Sequence, residues 1–424
     1  MPPRTERRNA LRCREFWINH MSFSTLPLSY CTNVHAGRTV SDVVQGLDQY
    51  TVPVRERIDQ PLAAGLWLAN SVVTELLSSP GQLEAFRDHL QHAGLSCHTL
   101  NAFPFGDFHS DRVKEQVYLP DWTDPARLQY TQQCAQVLAS LLPDGTEGSI
   151  STVPLGAKLF DQPEDFQSRC IANLIELSQQ LDELHDDTGR VVRLAIEPEP
   201  FCVLEQTSEA IAFFAALRGQ AADVNQLTAV NRHIGLCYDI CHQSVEFEDV
   251  AESIRALSQA DIRINKVHIT CAIQLDNPAE NSAGREALAK YVEPRYLHQT
   301  FAQLPNGQIV RQSDLTRELT TEPDEQFAQA ATWRVHFHVP VDAETLGPLG
   351  TTRGDVKRAL AVVAELSYAP HLEVETYTWE VLPGGDRMDL IEGLSRELTA
   401  TQQLLQGLSP EKSSSAGNLP IVSH

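Results

Sequence analysis

A strand–helix alternation that repeats eight times along the chain constrains the fold most. Each repeat has a short apolar or β-branched run, which predicts a strand, and then a polar loop and a segment of helical period. The predicted strands cover residues 28–34, 64–70, 96–103, 148–155, 191–200, 233–242, 264–273 and 371–379. Strands linked by helices form parallel sheets, and eight in succession close most simply as a single (β/α)8 TIM barrel. A doubly wound open sheet is the alternative, but no GxGxxG follows the first strand to bind a nucleotide phosphate.

The sequence predicts one barrel domain between two disordered ends. Residues 1–20 contain arginines without the apolar segment of a secretory signal, and residues 409–424 contain Ser, Gly and Pro. Residues 21–408 are assigned to the barrel, with a long insertion after the seventh strand at about 274–350 and a helix predicted over 284–303. No run approaches the roughly 18 apolar residues of a membrane span. Nine scattered cysteines argue against a secreted disulfide scaffold, so we expect a cytoplasmic protein.

The charge of the chain limits its partners. The formal net charge is −23, and no stretch of clustered Lys and Arg resembles a surface that follows phosphates. Nonspecific nucleic-acid binding and docking on an anionic membrane both depend on basic side chains. We therefore expect a small-molecule substrate and no nucleic acid.

The last four predicted strands all end in acidic or imidazole side chains. These are Glu197 and Glu199, Asp239 and His242 within "CYDICH", His268, and finally Glu373 and Glu375. A single such residue is more often structural, but four consecutive endings would converge on one barrel mouth, where TIM-barrel active sites lie. Carboxylates that face one another repel unless a cation neutralises them, and mixed Asp, Glu and His ligands suit Mn²⁺, Mg²⁺, Co²⁺ or Zn²⁺. The sequence therefore predicts a divalent metal ion. The two glutamates of each pair lie on the same face of their strand, so the pattern does not decide which of them faces the ion.

The order Glu, Asp-x-x-His, His, Glu on strands five to eight resembles the xylose-isomerase-like TIM-barrel superfamily. That group includes sugar isomerases, keto-sugar epimerases, inosose dehydratases and metal-dependent abasic-site endonucleases. Carried over by position, the resemblance implies that Glu197, Asp239, His268 and Glu375 are metal ligands. Glu197 or Glu375 would also be the catalytic base. His242 would contact substrate, as in the isomerases, or bind a further metal ion, as in the endonucleases.

Other polar residues follow the third strand or lie in the insertion. In "LNAFPFGDFHSDR", Asn101 and His109 are candidate substrate contacts, and the phenylalanines would line a pocket for an apolar or aromatic ligand. The alternative is a packed loop. His336 and His338 alternate onto one face of the predicted strand "WRVHFHVPV" and are further candidates for binding substrate or a second metal ion. Their alternative is a hairpin whose histidines meet solvent.

A closer resemblance covers the chain from about Leu28 to Leu408. The stretches "LSYCTNVHAG", "EGSISTVPLG", "IEPEP", "CYDICH" and "HLEVETYTWEVLP" look like the EboE family of metabolite traffic proteins. The resemblance implies a sugar isomerase- or epimerase-type barrel that serves processing or export of a secondary-metabolite precursor, with an Ebo-cluster membrane protein as partner. The substrate would be a polyol, a keto-sugar or such a precursor. A multinuclear zinc phosphoesterase of endonuclease type and a non-catalytic metabolite-binding protein are the alternatives.

Overall fold

The computed structural model describes residues 23–384 and 389–408, so the predicted extension 1–20 and tail 409–424 lie outside the described residues. Seven barrel strands come first: β1 (Ser29–Cys31), β2 (Ala63–Trp67), β3 (Ser96–Asn101), β4 (Gly148–Thr152), β5 (Val192–Ile196), β6 (Ile234–Asp239) and β7 (Ile264–Ile269). The insertion then contributes β8 (Cys271–Asp276), β9 (Thr300–Gln303), β10 (Ile309–Gln312), β11 (Thr332–Val339), β12 (Thr345–Leu346) and β13 (Leu349–Thr351). Finally, β14 (His371–Val374) closes the barrel in the order β1-β14-β7-β6-β5-β4-β3-β2, with every pair parallel. The predicted eight-stranded TIM barrel is confirmed.

Most helices follow barrel strands and cover the outside of the barrel, whereas the three between residues 277 and 331 belong to the insertion. They are α1 (Val40–Gly46), α2 (Val52–Ile58), α3 (Asn70–Ser78), α4 (Pro80–His92), α5 (Pro125–Leu141), α6 (Phe166–Thr188), α7 (Thr207–Asp223), α8 (Leu227–His233), α9 (Ile240–Val245), α10 (Val250–Gln259), α11 (Ser282–Leu288), α12 (Arg317–Thr321), α13 (Glu325–Ala328), α14 (Arg353–Val363) and α15 (Leu390–Leu408). A π-helical segment, Leu47–Thr51, joins α1 to α2, and 3₁₀ helices lie at Thr32–Val34, Lys114–Tyr118, Ala289–Tyr291 and Tyr377–Val381. None of the described helices is long and apolar enough to cross a bilayer.

Helix α6 shows how local sequence sets these elements. Its buried residues recur at helical spacing and face the barrel, among them Ile171, Leu174, Leu177 and Leu181. The helix ends at Gly189, whose φ of 70° is the left-handed conformation that glycine adopts without a steric cost. The apolar stripe packs the helix on the barrel, and the stop signal lets the chain turn back into the next barrel strand, β5.

A buried ion pair fills the barrel interior below the mouth. Nζ of Lys266 on β7 lies 2.6 Å from Oε1 of Glu373 on β14, and neither side chain is exposed. Ser29 on β1 donates a hydrogen bond to the other carboxylate oxygen of Glu373. The strand β2 makes room for this carboxylate with Gly65, because a Cβ there would lie 1.5 Å from Glu373 Oε2. These contacts give β14 its register.

The insertion forms a second sheet in the order β10-β9-β11-β8-β13-β12. The helix predicted over 284–303 is wrong in its second half, because α11 ends at Leu288 and Thr300–Gln303 is strand β9. Pro294 cannot continue a helix, and β9 instead pairs with both β10 and β11. Long-range strand pairing therefore overrides the helical pattern of this segment.

The insertion sheet is fixed to the barrel by an arginine on β10. Arg311 Nη1 lies 2.7 Å from Glu205 Oε1, and its Nη2 lies 2.9 Å from Glu246 Oε2. Both glutamates are buried on the barrel side. The guanidinium therefore joins the sheet to the loops that follow β5 and α9, and β11 is held over the carboxyl ends of the barrel strands.

Candidate metal centre and substrate cavity

Four side chains meet at the carboxyl ends of adjacent barrel strands. Glu197 follows β5, Asp239 ends β6, His268 lies on β7 and Glu375 follows β14. Their ligand atoms all lie within 4.8 Å of one another, and each residue is at most 5% exposed. Because β5, β6, β7 and β14 are neighbours in a parallel barrel, their carboxyl ends open on the same mouth.

One nitrogen of His268 faces all three carboxylates. Its Nδ1 lies 2.8 Å from Glu197 Oε1, 2.9 Å from Glu375 Oε2 and 3.6 Å from Asp239 Oδ2. Burial disfavours charge on this imidazole, yet anionic neighbours including Glu197 and Glu375 raise the pKa of His268 well above its ordinary value. In a protein without a bound cation, His268 is therefore the group that supplies positive charge.

Two of the carboxylate oxygens lack a hydrogen-bond donor. Among the described residues, the buried Glu197 Oε2 and Asp239 Oδ2 have no hydrogen-bond partner. Burial raises the pKa of Glu197 to about 7, and the charges of Glu375 and Asp239 add to this effect against the opposing His268. Unpaired buried carboxylate oxygens are costly unless they are protonated or bind a cation. The donor set of three carboxylates and one imidazole fits a divalent ion.

Glu199 and Glu373, the other members of the two glutamate pairs, do not face His268 Nδ1. Glu199 accepts a hydrogen bond of 2.7 Å from the Tyr118 hydroxyl, and burial raises its pKa to about 8. Glu373 lies one layer below the mouth, where its Oε1 is 3.3 Å from His268 Nε2. A carboxylate in that position stabilises a proton on Nε2, which leaves Nδ1 available to a cation. The tertiary structure thus brings Glu197 and Glu375, rather than their partners, to His268 Nδ1.

Two asparagines orient Glu375. Asn33 Nδ2 and Asn101 Nδ2 donate to Glu375 Oε1 at 3.0 and 2.7 Å, so its Oε2 is left to face His268. Asn101 was a predicted substrate contact, and here it also holds a candidate ligand in place. Asn33 was not predicted as a site residue, although its position just after β1 puts it at the same barrel mouth.

Three histidines form a second group beside the carboxylates: His242, His336 and His338. In each ring Nδ1 lies within 3.0 Å of an oxygen that can only accept, namely Pro198 O, the Gln299 side-chain oxygen and Glu375 O, respectively. Nδ1 is therefore the protonated nitrogen, and the Nε2 lone pairs converge. His336 Nε2 is 3.1 Å from His338 Nε2, which is 3.4 Å from His242 Nε2.

The converging nitrogens need a proton or a cation between them. Burial lowers the pKa of both His336 and His338, so their rings are neutral and each Nε2 keeps a free lone pair. Nδ1–H bonded to a carbonyl oxygen is the usual arrangement of metal-binding imidazoles. Asp239 Oδ2 lies 3.8 Å from His242 Nε2, so Asp239 faces both this group and the first one. His336 and His338 are only 3% and 1% exposed, so the alternative of a solvent-facing hairpin is wrong.

A cavity with an empty volume of about 500 Å³ opens over both groups. Its polar side is lined by Asn33, Asn101, Glu197, Glu199, His242, His336, His338 and Glu375, and its apolar side includes Phe103, Phe108, Val117, Tyr296, Leu297 and Tyr377. His109 is not among the residues that line it, and its role as a substrate contact stays a prediction. The His109 ring packs near Trp67, and its Nε2 lies 2.8 Å from Asn33 O. Its place is therefore behind the loop that carries Asn33.

Solved structures with the same fold cover most of the chain. A xylose isomerase-like TIM-barrel protein from Mycobacterium smegmatis, in complex with magnesium, aligns with a TM-score of 0.51 and 13% identity over 91% of this chain and 98% of its own. An L-ribulose 3-epimerase aligns with a TM-score of 0.49 and 13% identity over 91% and 96%, respectively. No protein-family model and no curated protein sequence matches the chain. The chain shares the TIM-barrel fold of the xylose isomerase-like protein from Mycobacterium smegmatis, whereas no match supports the narrower EboE resemblance.

Proposed function

We propose that this protein is a divalent-metal-dependent enzyme of sugar isomerase or epimerase type. The observation that carries the proposal is the buried group of Glu197, Asp239, His268 and Glu375 at the mouth of a xylose-isomerase-like barrel. These four residues would hold the ion. The substrate would be a polyol, a keto-sugar or a related precursor with oxygens on neighbouring carbons.

The protein's own groups supply binding and proton transfer. A divalent ion in this group would polarise a substrate oxygen and orient the substrate. Glu197 and Glu375 line the cavity on the same side and are the proposed catalytic bases. His242 and Asn101 would contact the substrate hydroxyls.

The pathway is proposed from sequence resemblance alone. The stretches "CYDICH" and "HLEVETYTWEVLP" support an EboE-like role in processing or export of a secondary-metabolite precursor. In that role the protein would act in the cytoplasm beside an Ebo-cluster membrane protein. A non-catalytic metabolite-binding protein is the alternative, and its function would survive loss of the proposed bases.

Metal content and proton exchange test the proposal together. Protein purified without chelators should contain about one divalent ion per chain, and Glu197→Ala should remove it. Glu199→Ala is the matched control, because Glu199 is equally buried but faces Tyr118, so its variant should keep the ion. In D₂O, the loaded protein should exchange the hydrogen next to the carbonyl group of one of a panel of keto-sugars. Full occupancy in Glu197→Ala, or no exchange with any keto-sugar, would contradict the proposal.

A multinuclear zinc phosphoesterase is the second candidate, and the three converging Nε2 atoms favour it. This candidate requires two or more ions per chain. His336→Asn and His338→Asn should each remove about one ion, while the Glu197 group keeps its own. If instead both variants retain the wild-type stoichiometry, the three histidines contact substrate or water and the isomerase proposal is preferred.

A further inference from the structure

Three aromatic side chains that line the cavity, Phe108, Tyr296 and Tyr377, pack together and form an aromatic wall. The ring centroids of Phe108 and Tyr296 are 4.9 Å apart, those of Phe108 and Tyr377 are 5.3 Å apart, and those of Tyr296 and Tyr377 are 5.0 Å apart. Val117 and Leu297 extend the apolar surface around these rings. Mutually packed aromatic rings present a broad apolar face with little conformational freedom.

Backbone contacts hold this wall in position. The amides of Val113 and Lys114, in the loop after β3, both donate to the Arg295 carbonyl oxygen in the insertion at 2.8 Å. The Tyr296 hydroxyl donates to the Phe108 carbonyl oxygen at 3.2 Å. Phe108 and Tyr296 thus come from two distant parts of the chain that are fastened to each other, as expected for a preformed ligand surface.

The cavity offers no free basic side chain to an anionic ligand. Among the described residues that line it, Lys114 is the single Lys or Arg. Lys114 Nζ already lies 2.5 Å from Asp314 Oδ2 and 3.3 Å from the Glu293 carbonyl oxygen. Away from the proposed metal ion, a phosphate or carboxylate on the substrate would therefore meet an apolar wall and an occupied lysine, and both disfavour an anion.

We propose that the substrate is uncharged and has two parts. Its head carries oxygens on neighbouring carbons and meets Glu197, His242 and Glu375. Its tail is an aryl or branched hydrocarbon group that packs on the aromatic wall. The head assignment rests on the proposed function, whereas the tail assignment rests on the wall alone.

The test compares ligands with the same head and different tails. We would measure binding of methyl β-D-glucoside, phenyl β-D-glucoside and phenyl β-D-glucoside 6-phosphate to manganese-loaded protein by calorimetry. Burial of one phenyl ring should strengthen binding about tenfold to hundredfold over the methyl compound. The 6-phosphate should bind more weakly than its uncharged parent.

Two variants test whether the preference for the phenyl glucoside depends on the aromatic wall. Leu297 is only half-buried, so Leu297→Ser should fold, and it should reduce the phenyl-to-methyl affinity ratio several-fold. Val224→Ser, at a position that is 54% exposed and does not line the cavity, should leave that ratio unchanged. Equal affinities of the two glucosides, no measurable binding of the phenyl glucoside, or tighter binding of the phosphate would overturn the inference.

The same titrations in EDTA separate this inference from the proposed function. If the phenyl preference persists while EDTA changes neither affinity, the wall is confirmed and the metal-bound head is refuted. If EDTA weakens binding of both glucosides but their affinities are equal, the metal-dependent head stands and the tail is refuted.

Discussion

Glu373 and Glu375 lie two residues apart, and their replacement by glutamine should have opposite consequences. Glu373 is the partner of the fully buried Lys266 at 2.6 Å. In Glu373→Gln, the ammonium would keep only its longer contacts to the Leu100 carbonyl oxygen and the Ser151 hydroxyl, at 3.3 and 3.2 Å. We expect this variant to keep its metal ion and lose stability. Glu375→Gln should lose the ion and keep its stability in the absence of metal.

The expected loss for Glu373→Gln is about 3 kcal/mol at neutral pH. Breaking a buried ion pair on one side costs about 3–5 kcal/mol, and the remaining neutral acceptors favour the lower end of that range. Burial alone would raise the pKa of Glu373, but Lys266 lowers that pKa to about 2. A fall from an ordinary value near 4.3 corresponds to roughly 3 kcal/mol. Because the folded-state pKa is depressed, this stabilisation is present above about pH 4 and is lost as the pH falls toward 2.

Urea unfolding followed by tryptophan fluorescence measures the free energy of unfolding of each variant. The experiments are done in EDTA, since a bound ion would add its own stabilisation. Metal content is measured separately on protein purified without chelators. The control Lys266→Met/Glu373→Leu removes both charges and should recover most of the lost stability. Unchanged stability of Glu373→Gln, or loss of its metal ion, would refute the assignment of the two glutamates.

Three further predictions concern the centre and its supports. Metal affinity should fall below about pH 7, because burial raises the pKa of Glu197 to about 7 and its proton competes with the cation. Competition titrations from about pH 5 to 8 measure this affinity, and an affinity that does not change with pH would contradict the prediction. Gly65→Ala should lower the thermal midpoint in calorimetry, since the new Cβ would lie 1.5 Å from Glu373 Oε2. Asn101→Leu should weaken metal binding about tenfold or more, whereas His109→Asn should leave it unchanged; equal effects of the two would refute the role of Asn101.

The sequence by itself determined the barrel and the mouth at which the site lies. Eight apolar runs, each followed by a helical segment, leave parallel strands as the simplest arrangement. In a parallel barrel the carboxyl ends of all strands lie at one mouth. Residues at those ends, such as Asp239 and His268, therefore come together whatever the conformation of the loops. This convergence follows from topology, and topology is readable from the order of the elements.

Only the tertiary structure decided which member of each glutamate pair faces the centre. Glu373 and Glu375 share strand parity, so periodicity cannot distinguish them. The choice depends on Lys266, which binds Glu373 below the mouth, and on Gly65, which leaves space for its carboxylate. These partners come from other strands, far away in the sequence.

The same reason explains the histidine group and the aromatic wall. His242 and His338 are 96 residues apart, yet their Nε2 atoms lie 3.4 Å from each other because β11 of the insertion lies over the barrel mouth. Phe108 and Tyr296, which are 188 residues apart, also meet. Local patterns predicted His242 near a strand end and Phe108 in a loop. They predicted Tyr296 in a helix and His338 on a strand of the insertion. Their contacts follow from pairing between β8, β9 and β11, which depends on tertiary packing rather than on local periodicity.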